Sequence, residues 1–243
     1  DLILRTNFSL SRDLWDWCAL RDARLVYASS AATYGDGEQG FEDADDLESL
    51  SRLRPLNAYG YSKYLFDQYA AKQADEGHAP SQWAGLKFFN VYGPNEYHKG
   101  GMKSVVAQIW PKVATDEAVT LFRSHNPNYA DGGQMRDFVF VEDVVDIVDW
   151  LLGTPAVSGV FNAGSGQARS FLDLANATFA AAGKTPKVEY VDTPESIRDK
   201  YQYFTEARME RVRAAGYSGQ STPLEEGVRR YVQDFLMQAD PYR

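Results

Sequence analysis

The sequence reads as an α/β protein built on a mainly parallel sheet, and three observations lead there. Helical and strand patterns alternate along the chain, which is how a parallel sheet is wound. The strand candidates are short apolar runs, such as Leu25-Val26-Tyr27-Ala28 and Phe138-Val139-Phe140-Val141. The chain has 243 residues, 44% of them apolar, with charges of mixed sign, which is enough for a sizeable core and unlike a disordered chain.

The elements follow in order. Over 1–21, Phe8, Leu10, Leu14, Trp17 and Cys18 recur at helical spacing and predict one packed face. The strand at 25–28 runs into Ser29-Ser30, and an acidic loop with Glu42, Asp43, Asp45 and Asp46 follows on the surface. A helix is expected over 59–74 and a strand over 86–89, ending at Asn90. A Gly- and Pro-containing loop reaches Gly101, and the helix from Met102 is expected to kink or stop at Pro111. Short strands are read at 121–122 and 138–141, then a helix opened by Glu142-Asp143, where acids suit the N-terminus. Beyond a strand at 160–162, Ser170 caps a helix ended by Gly183. After a strand at 188–190, Thr205 is expected to cap a helix ending near Gly216, and Pro223 to start the last one.

Composition excludes several classes. The net charge of −9, without a basic run, argues against nucleic acid, whose phosphates need clustered cations. No apolar stretch is long enough to span a bilayer, and no secretory signal is found. Cys18, the single cysteine, sits in an apolar run and reads as a core thiol in a reducing, cytoplasmic setting. His78, His98 and His125 lack metal-ligand spacing, so no metal is expected.

The chemistry concentrates in a few segments. Tyr59 and Lys63 lie four apart and share a helix face. An ammonium there stabilises a phenolate, making a tyrosine a usable acid/base. Read alone, the pair is only two surface residues. Upstream, Ser29-Ser30-Ala31-Ala32-Thr33-Tyr34-Gly35 follows a strand, at the end where open sheets bind ligands. Together these segments resemble the Ser-Tyr-Lys site of the extended short-chain dehydrogenase/reductase family. Phe88-Phe89-Asn90-Val91-Tyr92-Gly93-Pro94, Arg136-Asp137-Phe138-Val139 and Phe161-Asn162-x-Gly164-x-Gly166 resemble other segments of the same family. Glu96-Tyr97-His98-Lys99-Gly100-Gly101-Met102 is similar to the H-K-G-x-M segment of the family's ADP-glyceromanno-heptose 6-epimerases.

The resemblance implies a Rossmann-like doubly wound parallel sheet with a smaller α/β substrate-binding lobe. Residues 1–100, interleaved with 138–165, would belong to the NADP-binding domain, and 101–243 mainly to the lobe. It implies inversion of carbon 6 of ADP-D-glycero-D-manno-heptose through a transient ketone with NADP (NAD possible), in lipopolysaccharide core heptose synthesis. Ser30 would polarise the reacting oxygen, Tyr59 and Lys99 would be the two proton-transfer groups, and Lys63 would assist Tyr59. Asn7, Lys63, Val91 and Lys99 would contact the cofactor. Ser30, Asn90, Gly101, Gln108, Phe122, Arg123, Ser124, His125, Arg136 and Tyr201 would contact the ADP-heptose. The family often has serine at the position of Gly101 and histidine at that of Gln108, and the stretch 126–134 is longer here. A homo-oligomer through the helices near 7–21 and 59–74 is also implied.

No G-x-x-G-x-x-G loop occurs in the sequence. The chain opens at what resembles the helix before the fifth strand of the family's sheet. The N-terminal strands are therefore expected to be missing, and the isolated chain to bind NADP poorly. Two alternatives stay open: another extended-family nucleotide-sugar epimerase or dehydratase, and a non-catalytic fragment that only binds or assembles.

Overall fold

The structure is a computed structural model that describes residues 2–198 and 201–242. Among these, the strands run β1 (Arg24–Ser30), β2 (Gln82–Phe88), β3 (Asn90–Tyr92), β4 (Val119–Phe122), β5 (Met135–Phe140), β6 (Gly159–Ala163), β7 (Ala168–Ser170) and β8 (Val188–Val191). The chain divides into two compact units. The first comprises Asp1–Phe89, Val145–Ala163 and Ala207–Gly219; the second comprises Asn90–Val144, Gly164–Glu206 and Gln220–Arg243.

The first unit holds a parallel sheet of order β1-β2-β6, with Ser30 opposite Phe88 and Phe88 opposite Ala163. β2 is buried along nearly its whole length, as a strand covered on both faces must be. Its side chains alternate between two cores. Trp83 packs with Trp15, Phe66, Ala70 and Val160, while Ala84 and Leu86 pack with Ile147, Leu151, Phe161 and Val212. Gly85 is required between them, because a Cβ there would lie 2.4 Å from the Tyr27 ring.

Two expectations fail in this unit. In the helix Leu10–Leu20 the buried residues are Trp15 and Cys18, whereas Leu10, Leu14 and Trp17 are exposed. The acidic loop is not wholly solvated either. Phe41, Leu50, Leu53 and Asp43 are buried, and Asp43 accepts from the Asn162 N–H at 2.7 Å. The Asn162 side chain completes the attachment, donating to the Phe41 and Arg208 carbonyls and accepting from the Tyr34 hydroxyl. Asp45 pairs with Arg211.

In the second unit β3 pairs parallel to β5, β5 antiparallel to β7, and β4 parallel to β8. Its core joins Tyr92, Val106, Phe138, Phe140, Leu174, Phe179, Val228 and Tyr231. Ser170 caps the helix Phe171–Ala181 in a reciprocal box with Asp173. Pro111 does not end its helix, which runs Val105–Ala114. Proline here forgoes one internal bond, and the helix is held by its buried face of Val106, Ala107, Ile109 and Val113. Thr205 caps no helix: its hydroxyl accepts from the Asp137 N–H, and the nearest helix is the short Glu210–Ala214. The last helix, Leu224–Tyr231, follows Pro223 as expected. Among the described residues no helix is long and apolar enough to cross a membrane.

Candidate active site

The helix Ala58–Asp75 begins where Asn57 caps it, its side-chain oxygen accepting from the Gly60 N–H at 2.8 Å. Gly60 decides how closely this helix meets the turn after β1. A Cβ at Gly60 would stand 2.6 Å from the Ala32 carbonyl oxygen, so only glycine permits the approach. Tyr59, 45% exposed, and Lys63 thereby come to the carboxyl end of β1. The Lys63 ammonium donates to the Ala28 carbonyl at 2.8 Å and lies 5.9 Å from the centre of the Tyr59 ring. Burial pushes the Lys63 ammonium below the usual lysine range, opposed by Asp67 one turn on. Ser30 is buried at the strand end, and its Oγ accepts from the Ala32 N–H at 3.1 Å. The first unit thus brings Ser30, Tyr59 and Lys63 to one strand end. Asn7 is fastened to the same helix, its amide donating to Ser62 Oγ at 3.1 Å.

Lys63 has spent one donor on Ala28, and an ammonium carries three. The remaining donors, beside an exposed phenol, fit the ribose and nicotinamide end of a dinucleotide.

Beneath this end lies a cluster that the sequence reading did not single out. Lys87 and Asp67, both with side chains 0% exposed, pair at 2.7 Å. Lys87 also donates to Thr33 Oγ at 2.7 Å, while Ser29 and Tyr27 donate to Asp67 at 2.7 and 3.2 Å. A lysine inside an apolar strand was the available signal.

The second unit carries the other candidates. Asn90 is exposed at the start of β3, with Val91 half-buried beside it. Lys99 stands exposed on the 3₁₀ turn Tyr97–Met102, and Gly101 follows on the same turn. Phe122, Tyr201 and Gln108 line a cavity of about 310 Å³ together with Val105, Ile109 and Gln134. Gln108 donates to the Lys103 and Gly101 carbonyls, and Phe122 meets Tyr201 edge to face at 6.1 Å. The Arg136 guanidinium lies 5.6 Å from the Phe171 ring and 5.5 Å from the Tyr201 ring. Both rings line the cavity. No ion pair to Arg136 is formed among the described residues, and burial pushes it below the usual arginine range. A desolvated cation without an anion suits a diphosphate.

Of the predicted substrate contacts, Gln108, Phe122 and Tyr201 line this cavity, and Arg123, Ser124 and His125 are among those that do not. Ser124 is engaged with Asn126 and Asp131 in its own loop. The His125 N–H donates to the Tyr203 hydroxyl, and Arg123 reaches the Tyr190 carbonyl. Gln134, which was missed, donates to the Phe122 and Arg123 carbonyls and so holds the end of β4.

Residues 1–164 match the NAD dependent epimerase/dehydratase family. The chain belongs to that family. A relative from Nitratidesulfovibrio vulgaris (strain DP4), named ADP-L-glycero-D-manno-heptose-6-epimerase, is 50% identical over 242 residues, covering 100% of this chain and 73% of that one. The solved Helicobacter pylori protein of that name is 28% identical, with a TM-score of 0.74, over 96% of this chain and 66% of that one. The Thermus thermophilus UDP-glucose 4-epimerase, solved with NAD, is also 28% identical, with a TM-score of 0.66, over 86% of this chain and 62% of that one. The expected α/β class holds, and a nicotinamide dinucleotide is the cofactor of this epimerase/dehydratase family.

Proposed function

We propose that the protein is an ADP-L-glycero-D-manno-heptose 6-epimerase that uses NADP and acts on ADP-D-glycero-D-manno-heptose, in lipopolysaccharide heptose synthesis. The observation that carries this reading is the Tyr59–Lys63 pair at a strand end, in a chain half identical to a relative of that name. Lys63, Asn7 and Val91 would hold the nicotinamide cofactor, which would supply reversible hydride transfer at carbon 6. The protein's own groups then do the rest. Ser30 holds the reacting oxygen, and Tyr59 takes its proton as the carbonyl forms. Inversion presents the other face of the carbonyl, so protonation from a second direction is needed, and Lys99 is assigned to it. Lys63 stabilises the phenolate and holds the ribose, with Asn7 and Val91 toward the cofactor. Arg136 takes the diphosphate, the cavity with Phe122 and Tyr201 takes the nucleoside, and Asn90, Gly101 and Gln108 contact the remainder. Arg123, Ser124 and His125 are assigned to the rim. The first unit is thus assigned to the dinucleotide and the second mainly to the sugar nucleotide.

A homo-oligomer is part of the proposal. Leu10, Leu14 and Trp17, at 56%, 47% and 53% exposure, form one helical stripe of the kind that marks an interface. Leu14→Glu should yield a smaller species by sedimentation.

The functional test expresses the full gene and follows the carbon-6 configuration of ADP-D-glycero-D-manno-heptose by NMR. Conversion that collapses in both Tyr59→Phe and Lys99→Ala is expected. No conversion, with turnover of a UDP-hexose indifferent to Lys99, would move the protein to a 4-epimerase.

A further inference from the structure

We infer that Glu96 is a positioning residue for Lys99: a buried carboxylate that clamps both ends of the Lys99 turn and ties them to the last helix. This rests on the assignment of Lys99 as a proton-transfer group.

The turn itself is weakly held. Within it the Lys99 N–H donates to the Glu96 carbonyl at 3.0 Å, and the Lys103 N–H to the Gly100 carbonyl at a long 3.5 Å. Gly100 has φ 56° and ψ −126°, a backbone open to glycine alone, so the chain reverses immediately after Lys99. An exposed lysine on such a turn has no fixed direction unless the flanks are fixed.

Glu96 fixes them. Its side chain accepts from the Ser104 N–H at 2.6 Å through Oε2, and from Ser104 Oγ at 2.5 Å through Oε1. The residue before the turn is thus bound to the residue beyond it. Oε1 also accepts from the hydroxyl of Tyr231, a fully buried residue of the helix Leu224–Tyr231. Glu96 is 4% exposed, and among the described residues no cation pairs with it. A carboxylate kept from water in this way is costly unless its oxygens are well satisfied, and here three donors satisfy them. The first residue of the turn is held as well. The Tyr97 hydroxyl donates to the Pro241 carbonyl at 3.0 Å, and its ring meets Tyr242 edge to face at 4.8 Å. The last helix and the segment after it therefore both bear on the direction of Lys99.

The clamp has a distinctive tolerance. One of its three donors, the Ser104 N–H, demands an acceptor, while the other two are hydroxyls that can also accept. Glutamine can turn its oxygen to the N–H and its NH2 to the hydroxyls, so Glu96→Gln should keep the clamp. Glu96→Ala cannot.

The experiment is a double-mutant cycle on the protein expressed from its full gene, with ADP-D-glycero-D-manno-heptose as substrate. Glu96→Ala should lower kcat by about 10²-fold at unchanged KM, the cost of misplacing a reacting group by about 1 Å. Glu96→Gln should retain most of the activity. In the Lys99→Ala background, Glu96→Ala should cause no further loss. Additive losses in the two backgrounds, or loss in Glu96→Gln equal to that in Glu96→Ala, would overturn the clamp while leaving the role of Lys99 intact. A Lys99→Ala enzyme with full turnover would instead overturn the assignment of Lys99. Tyr231→Phe removes one donor and keeps the ring, so it carries the same cycle if Glu96→Ala does not fold. It should give a smaller loss of kcat that vanishes in the Lys99→Ala background.

Discussion

Replacing Lys87 by methionine isolates what the buried pair beneath the Ser30 strand end contributes. Lys87 and Asp67 are both inaccessible to water and meet at 2.7 Å. At an effective dielectric of about 20, two unit charges at that separation attract by about 6 kcal/mol, most of which offsets the cost of removing both from water. Lys87→Met removes the attraction and leaves Asp67 desolvated, with the Ser29 and Tyr27 hydroxyls still donating to it. Breaking a buried pair from one side costs about 3–5 kcal/mol. For a chain of this size that lowers Tm by roughly 6–20 °C. The assay is urea and thermal unfolding followed by tryptophan fluorescence, since Trp15 and Trp83 pack together in the first unit's core. Asp67→Asn combined with Lys87→Met removes both charges and should recover most of the loss. A Lys87→Met cost below about 1 kcal/mol, or a double variant no better than the single, would refute the reasoning by showing that the pair is hydrated or uncoupled.

Three further outcomes are expected. Gly60→Ala places a Cβ 2.6 Å from the Ala32 carbonyl, so the helix must draw back from the turn and kcat should fall about 10²-fold for a displacement of about 1 Å, measured against the unfolding midpoint as control. Arg136→Ala should raise KM for the nucleotide sugar by roughly 10- to 150-fold, the equivalent of about 1.5–3 kcal/mol for charge-assisted hydrogen bonds, with nicotinamide binding unchanged. Hydrogen bonding from Arg169 holds the Glu225 carboxyl below the usual glutamate range, so the folded state binds fewer protons than the unfolded one in that window. Its stabilisation should be present above the ordinary glutamate value and be lost as pH falls through the lowered one, and Glu225→Gln should flatten that limb of an acid unfolding curve.

Much of the architecture was legible because it is written in local patterns. The helix cap at Ser170, the helix beginning near Tyr59 and the continuous apolar strands depend on residues a few positions apart, so propensity and periodicity report them. The strand-end position of Ser30 and the four-residue spacing of Tyr59 and Lys63 were legible for the same reason. The reading failed where distant segments outweigh local preference. Pro111 suggested a break, but a buried helix face overrides one lost hydrogen bond. Thr205 looked like a cap, but Asp137, 68 residues away, claims its hydroxyl. Asp43 and Asp45 looked solvated because their partners are not nearby in sequence. Those partners, Asn162 and Arg211, lie more than a hundred residues on.

The sequence by itself determined the fold class, the family resemblance and the residue types able to move a proton or hold a phosphate. Tertiary structure alone decided which groups are desolvated and what they face. Lys87 and Asp67, twenty residues apart, become a water-free pair only because β2 and the helix Ala58–Asp75 pack together. Glu96 is tied to the last helix only because Tyr231, 135 residues later, brings it a third donor. Burial and electrostatic partnership are properties of packing between segments remote in sequence, so no local pattern encodes them.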